Sequence, residues 1–215
     1  MFMIFKNRKD AGIRLASKLL IYKDREDVLV LALPRGGVVV GFEIANLLHC
    51  PLDMIIIRKI GFPGQPELAI GAVSETGTVV LNEDIISTHG VTTDYIEREI
   101  LKQKKEISRR MSVYRSGKSI PPLEEKIIIL VDDGVATGAT MKAAIYTLKK
   151  EKISKLVVAL PVSSQEAEIE IKKIVDEWVC LETPEWFMAI SHYYHDFTQI
   201  SDEEVKALLE SRGTA

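Results

Sequence analysis

An α/β fold with a mostly parallel sheet flanked by helices is predicted by three features of the sequence. Continuous apolar runs occur at residues 28–33, 127–131 and 156–160, and a further run at 52–57 is interrupted only by Asp53. They lack the polar alternation of half-exposed strands, so each reads as a strand buried on both faces. Segments of helical character separate them, and strands joined through helices form parallel crossover units.

Taken in order, Asp10 is placed to cap a first helix in which Ala11, Leu15, Ala16, Leu19 and Leu20 share a face. The run at 28–33 ends in Pro34-Arg35-Gly36-Gly37, and a helix over about 38–49 leads to the run at 52–57. Between 58 and 82 the texture changes. Gly61, Pro63, Gly64 and Pro66 mark an irregular, mobile loop, and residues 69–74 and 78–81 flank Glu75-Thr76-Gly77 as a β-hairpin. A long helix follows over 92–118, with Ile96, Ile100, Ile107 and Met111 as a sparse apolar stripe, and Pro121-Pro122 ends it. The strand at 127–131 and a helix beginning at Ala139 or Thr140 then enclose a loop of small residues.

Composition narrows the class. A chain of 215 residues can bury a substantial core, and 47% hydrophobic with 27% charged residues is the balance of a soluble globular protein. The net charge of -3 gives no reason to expect nucleic acid as the main partner. Residues 97–118 hold eight basic side chains against three glutamates, and a solvated helix face accounts for such a run. Cys50 and Cys180 sit among apolar neighbours without zinc spacing, which suits reduced, buried thiols. The apolar start, broken by Lys6, Arg8 and Lys9, is too short for a signal peptide, and no run approaches membrane-spanning length. A cytoplasmic protein is expected.

The chemistry concentrates at the end of the strand at 127–131, where Asp132-Asp133-Gly134-Val135-Ala136-Thr137-Gly138-Ala139-Thr140 follows. Open α/β sheets bind ligands at strand carboxyl ends. Small residues leave backbone N–H groups uncovered, the next helix adds partial positive charge, and Thr137 and Thr140 add hydroxyls, so a phosphate can be wrapped without a lysine. Asp132 and Asp133 would repel that phosphate but suit the hydroxyls of a sugar attached to it. Neither the P-loop ending Gly-Lys-Ser/Thr nor the dinucleotide fingerprint is present.

An apolar strand, two acids and a small-residue loop ending Thr-Gly-x-Thr resemble the phosphoribosyl pyrophosphate (PRPP) motif of type I phosphoribosyltransferases. The resemblance implies a Rossmann-like core with a small hood and a flexible β-hairpin. It also implies one phosphoribosyltransferase-like domain over 1–215, its core at about 24–162 and its hood from 1–23 and 163–215. The implied activity moves 5-phosphoribosyl from PRPP to a small nitrogenous acceptor and releases pyrophosphate, in nucleotide metabolism. Mg2+ would be bound mainly through PRPP, since magnesium keeps its waters and takes phosphate oxygens readily. Oligomeric state is not read from the sequence, and a homo-oligomer is compatible with it.

By the same resemblance Arg35, Gly36 and Gly37 stand where the family's pyrophosphate loop lies, and Arg58 with Lys59 resembles its second basic pair. Arg35 and Lys59 would stabilise the charge that gathers on the leaving group. Glu67, by position, is the candidate for handling the acceptor's proton, a solvated loop glutamate being the plain alternative. Pro184-Glu185-Trp186-Phe187 is similar to the hood of the hypoxanthine-guanine enzymes, with Phe187 as the base stacker and Met188 as a backbone contact. A hydrophobic lid or subunit contact would use the same aromatic residues. Those enzymes carry aspartate where this chain has Ala136, so the loop is closer to the adenine form and a 6-oxopurine acceptor is disfavoured. His195 stands where the family's hood has arginine. The other reading of the same motif is a regulator that senses PRPP or a nucleotide and transfers nothing.

Overall fold

The computed structural model describes residues 4–115 and 117–211, the side chains of Pro66 and Glu67 excepted. The chain divides into two compact units, one made of residues 1–54, 121–138 and 152–215, the other of 55–120 and 139–151.

The first unit is built on a five-stranded parallel sheet in the order β2-β1-β6-β7-β8. Its strands are β1 (Val28–Ala32), β2 (Leu52–Met54), β6 (Ile127–Val131), β7 (Lys155–Val162) and β8 (Glu177–Glu182). β1 and β6 are in register from Val28 opposite Ile127 to Ala32 opposite Val131, and every residue of both is buried. That burial is why these strands carry no polar alternation. Helix α1 (Arg8–Ala16) packs on α2 (Gly36–Leu48), α6 (Gln165–Lys172) lies by β8, and α7 (Asp202–Ser211) lies by α2.

The second unit holds an antiparallel sheet in the order β3-β4-β5, with β3 (Ile57–Phe62), β4 (Gln65–Ser74) and β5 (Val79–Leu81). Its helices are α3 (Glu83–His89), α4 (Thr93–Arg115) and α5 (Ala139–Leu148). Ile60, Ile70 and Ile96 form its apolar centre, which places the α4 stripe against the sheet.

Four expectations change in detail. Asn7, not Asp10, caps α1: its side chain accepts the Asp10 N–H at 3.0 Å, while Asp10 pairs with Arg14 one turn on. The apolar run at 52–57 is divided, its first half completing the parallel sheet as β2 and its last residue starting β3 in the other sheet. Residues 61–66 are not an irregular loop but the end of a β3–β4 hairpin, turning at Gly64 with φ 77° after register shifts at Gly61. Helix α2 begins at Gly36, so Gly36 and Gly37 form its first turn. Among the described residues no helix is long and apolar enough to cross a membrane.

Candidate functional site

The chain leaves β1 toward β2 on one side of the sheet and returns through β6, β7 and β8 on the other. Strand order therefore reverses between β1 and β6, and a crevice opens at such a switch point, outside the carboxyl ends of the strands. Arg35-Gly36-Gly37 follows β1 there, and Asp132-Asp133 follows β6. The two segments touch. A Cβ on Gly36 would stand 1.8 Å from Asp133 Oδ2, and one on Gly37 would stand 2.9 Å from both Asp132 Cα and the Val131 carbonyl oxygen. The paired glycines are thus explained by close approach of the α2 start to the acids. The Pro34–Arg35 peptide is cis.

The acids are not equivalent. Asp133 is buried and takes Arg8 Nε on its Oδ2 at 2.7 Å, an ion pair whose side chains are 9% and 13% exposed. Arg8 also donates through Nη1 to the Thr198 carbonyl at 2.8 Å, and its guanidinium carbon sits 3.8 Å from the centroid of the Phe197 ring. Tyr194 Oη donates to the Asp133 carbonyl at 2.5 Å. Asp132 is half-buried, and its Oδ1 accepts the Asp133 N–H at 2.8 Å. Burial first, then the charge of Asp133, hold the Asp132 carboxyl well above the usual carboxylate range. Arg8 and Tyr194 had no signal in the sequence, because their partners lie 125 and 61 positions away.

These contacts belong to a clasp formed by the two ends of the first unit. Phe5 N–H donates to the Tyr193 carbonyl, His195 N–H to the Phe5 carbonyl and Asp196 N–H to the Lys6 carbonyl, at 2.8–3.0 Å. Phe5, Tyr193 and Tyr194 are buried beneath it with Val162. Tyr193 and Tyr194 are consequently internal packing and Phe197 is half-buried against Arg8, while His195 is exposed.

The loop after the acids is anchored by its carbonyls. Ser164 N–H donates to the Val135 carbonyl at 2.9 Å and Ser164 Oγ to the Ala136 carbonyl at 2.6 Å. In a trans peptide C=O and N–H point oppositely, so the N–H groups of Ala136 and Thr137 turn away from Ser164. Ala136, Thr137 and Thr140 are exposed, while Gly134, Val135 and Gly138 are buried and Ala139 is half-buried. Gly134 is required by packing, since a Cβ there would lie 2.7 Å from Ile190 Cγ2, and Gly138 takes φ 72° before α5 begins.

The remaining predicted residues fall as follows. Arg35, half-exposed at the α2 N-cap, has Nη1 3.7 Å from Asp202 Oδ1 at the start of α7. Arg58 and Lys59 are neighbours on β3 in the second unit, so their side chains point to opposite faces of the sheet. Arg58 Nε is committed to Gln103 Oε1 on α4 at 2.9 Å. Glu67 falls in β4, and its side chain is outside the described residues. Phe187 stacks on Tyr193 with centroids 5.6 Å apart and planes at 20°, whereas Trp186 and Met188 on either side are each 80% exposed. Cys180 is a free thiol pushed up to about 11, chiefly by burial, so it is not a nucleophile at neutral pH. A groove of about 700 Å³ within the second unit has Ala69, Gly71, Ala72 and Ala143 among its lining residues, and neither motif acid lines it.

Among the described residues no cluster of three or more His, Cys, Asp or Glu could hold a metal ion. The donor set still fits a magnesium ion carried by phosphates, which needs one or two carboxylate oxygens and keeps its waters. Asp132 and Asp133 are the carboxylates of the motif, and Asp133 Oδ2 is already taken by Arg8.

A parallel sheet whose order reverses between β1 and the acid-ended β6 defines an open α/β domain of the kind that binds ligands at the carboxyl ends of its strands. Residues 3–198 match the Phosphoribosyl transferase domain family, and the chain belongs to that family. Two Mycobacterium tuberculosis proteins, from strains CDC 1551 / Oshkosh and H37Rv and each named "Putative phosphoribosyl transferase", are 44% identical to it over 210 residues. The match covers 96% of this chain and 46% of theirs, so the chain spans about half the length of these relatives. The crystal structure of TT1426 from Thermus thermophilus is similar with a TM-score of 0.89 at 40% identity, covering 99% of this chain and 100% of that one.

Proposed function

We propose that this protein transfers 5-phosphoribosyl from PRPP to a nitrogenous acceptor, with release of pyrophosphate. The observation that carries the reading is the packing of Gly36 and Gly37 against Asp132 and Asp133 at the reversal of strand order. It brings a helix start suited to an anion next to a carboxylate suited to sugar hydroxyls.

In this reading the loop from Gly134 to Thr140 wraps the 5′-phosphate, the Val135 and Ala136 carbonyls held back by Ser164. Asp132 accepts from the ribose hydroxyls. The pyrophosphate lies at the start of α2, where the first N–H groups of a 13-residue helix and the Arg35 guanidinium stabilise charge as the bond to the anomeric carbon breaks. Magnesium, when bound with PRPP, neutralises part of that charge. Lys59 as a second cation for the leaving group, and Glu67 as a proton handler, are proposals resting on sequence position. Arg58 is less suited, its Nε being taken by Gln103.

For the acceptor, the exposed ring is Trp186 and not Phe187, which is packed on Tyr193. Stacking of a base on an aromatic ring is worth about 1–3 kcal/mol by alanine substitution. Trp186→Ala is therefore expected to raise the acceptor KM about tenfold while the PRPP KM stays within about twofold. An unchanged acceptor KM would remove Trp186 from the site.

The regulator reading draws its support from the basic helix α4. Several of those charges are already satisfied: Arg109 and Arg110 both pair with Glu106, and Lys102 pairs with Glu99. This is the pattern of a solvated face. The deciding experiment is pyrophosphate release from PRPP with Mg2+ across purine and pyrimidine bases, with a no-base control. Release dependent on one base is the expected result. No release with any acceptor, together with salt-dependent binding of DNA or RNA, would give the regulator reading the place of the transferase.

A further inference from the structure

We propose that Asp202 sets how tightly the start of α2 holds a pyrophosphate, as an internal anion that competes with that group for the guanidinium of Arg35. The inference rests on the PRPP reading for the identity of the ligand, and on the geometry of α2 and α7 for the competition.

Three observations carry it. First, Arg35 Nη1 stands 3.7 Å from Asp202 Oδ1, with side chains 38% and 42% exposed. That separation is too long for a hydrogen bond and water screens both charges, so the pair contributes little and gives the guanidinium no fixed direction. A stronger anion can displace it, since phosphate oxygens take two guanidinium N–H donors side by side. Second, the acid is set on a fixed element. Ser201 N–H donates to Glu204 Oε2 at 2.8 Å and Glu204 N–H to Ser201 Oγ at 3.1 Å, a reciprocal cap at the start of α7. The helix lies by α2, with Val205 and Leu209 buried. Exchange of partners therefore moves the arginine on its flexible stem and leaves the acid where it is. Third, Asp202 opens the first turn of α7 and is followed by Glu203 and Glu204. Acids there stabilise their own helix. Asp202 also brings negative charge to Arg35, the N-cap of the helix assigned to a polyanion.

The arrangement balances capture against release. A helix start and an unopposed arginine would hold the leaving group firmly after the bond to the sugar has broken, and product release limits many enzymes. Asp202 makes Arg35 give up one partner to take another, so pyrophosphate is held less tightly and leaves sooner. An acid of α7, outside both strand-end motifs, thereby adjusts the affinity of the site for its leaving group.

The test uses full-length Asp202→Asn, Arg35→Met, the double variant and Glu203→Gln, each checked for folding by circular dichroism. Affinities for pyrophosphate and for PRPP are measured calorimetrically with Mg2+ at two ionic strengths. Asp202→Asn is expected to bind both about threefold more tightly than wild type, the scale of one exposed ion pair. A gain in affinity is a result that mere structural damage does not produce. The gain is expected to shrink at the higher ionic strength, where the pair is screened. In the Arg35→Met background, which itself binds more weakly, the same substitution is expected to change affinity by less than about 1.5-fold, because its effect runs through Arg35. Glu203→Gln removes the same charge one residue on and is expected to stay within about 1.5-fold of wild type.

Unchanged or weaker pyrophosphate binding by Asp202→Asn would overturn the proposal, the weaker result making Asp202 a support for Arg35. So would an equal gain in Glu203→Gln, or a gain that survives in the Arg35→Met background, since either means a general field and not competition for one guanidinium. A wild type that binds neither pyrophosphate nor PRPP removes the transferase reading and the competition together. Binding of pyrophosphate without PRPP removes the transferase reading and leaves the competition to be decided on pyrophosphate. A wild type that binds both, matched by Asp202→Asn, removes the competition alone.

Discussion

Asp132→Asn is expected to abolish most PRPP binding and, in the same variant, to raise the midpoint of thermal unfolding. The loss follows from removing a charged acceptor for sugar hydroxyls, at about 1.5–3 kcal/mol per bond, or roughly ten- to hundredfold in affinity. The gain follows from the environment of the carboxyl. Burial and the charge of Asp133 raise its folded-state pKa above that of an unfolded aspartate, about 3.9. Between those two values the folded state binds more protons, so ionisation of Asp132 costs stability at all pH above its folded pKa. The cost fades as pH falls through that value. Asparagine carries no charge and can still accept the Asp133 N–H through its side-chain oxygen. A higher midpoint at neutral pH is expected, the difference closing as the pH is lowered toward the value of an unfolded aspartate. Thermal midpoints of both proteins across pH 4–8 check it; a constant difference, or none, would contradict the assignment.

Gly36→Ala is expected to be among the most damaging single changes in the first unit. The new methyl would fall 1.8 Å from Asp133 Oδ2, 2.5 Å from its Cγ and 2.8 Å from Arg8 Nε. A flexible side chain on a surface would move away at little cost. Asp133 cannot, because its movement separates a buried ion pair, and breaking such a pair costs about 3–5 kcal/mol. Gly64→Ala supplies the control. Gly64 has φ 77° and nothing within 4 Å of a built Cβ, so only the left-handed backbone is penalised, by about 1–2 kcal/mol. Urea unfolding should separate the two variants clearly, and equal losses would mean that the contact with Asp133 yields more easily than its burial implies.

The strand-end motif was legible in the sequence because all of its chemistry is local: an apolar run, two acids, a small-residue loop and a helix in one stretch. The strands at 28–33, 127–131 and 156–160 were legible for the same reason, since burial on both faces writes itself as uninterrupted apolarity. The run at 52–57 was not resolved, because apolarity reports burial and says nothing of which sheet a strand joins. β8 was missed: its apolar centre at 178–181 is short and bounded by glutamates, and it reads as a strand only once β7 is beside it. Asn7 and Asp10 are both good caps, and local sequence does not choose between them. Arg8 was out of reach altogether. A buried arginine paired with an acid 125 positions away is indistinguishable in sequence from the solvated Lys6 and Lys9 around it.

The clasp has a consequence for the order in which the molecule is completed. The sheet can form once β8 exists, but the acid motif at 132–133 is held by Arg8, and Arg8 is held by Thr198, 190 residues downstream. Closing so long a loop is entropically slow, and contacts of such separation are made late. A chain emerging from the ribosome is therefore expected to pass through a stage with a formed sheet and an Asp133 not yet held by Arg8. A ligand that binds only the completed motif would then also stabilise the pairing of residues 5–8 with 193–198.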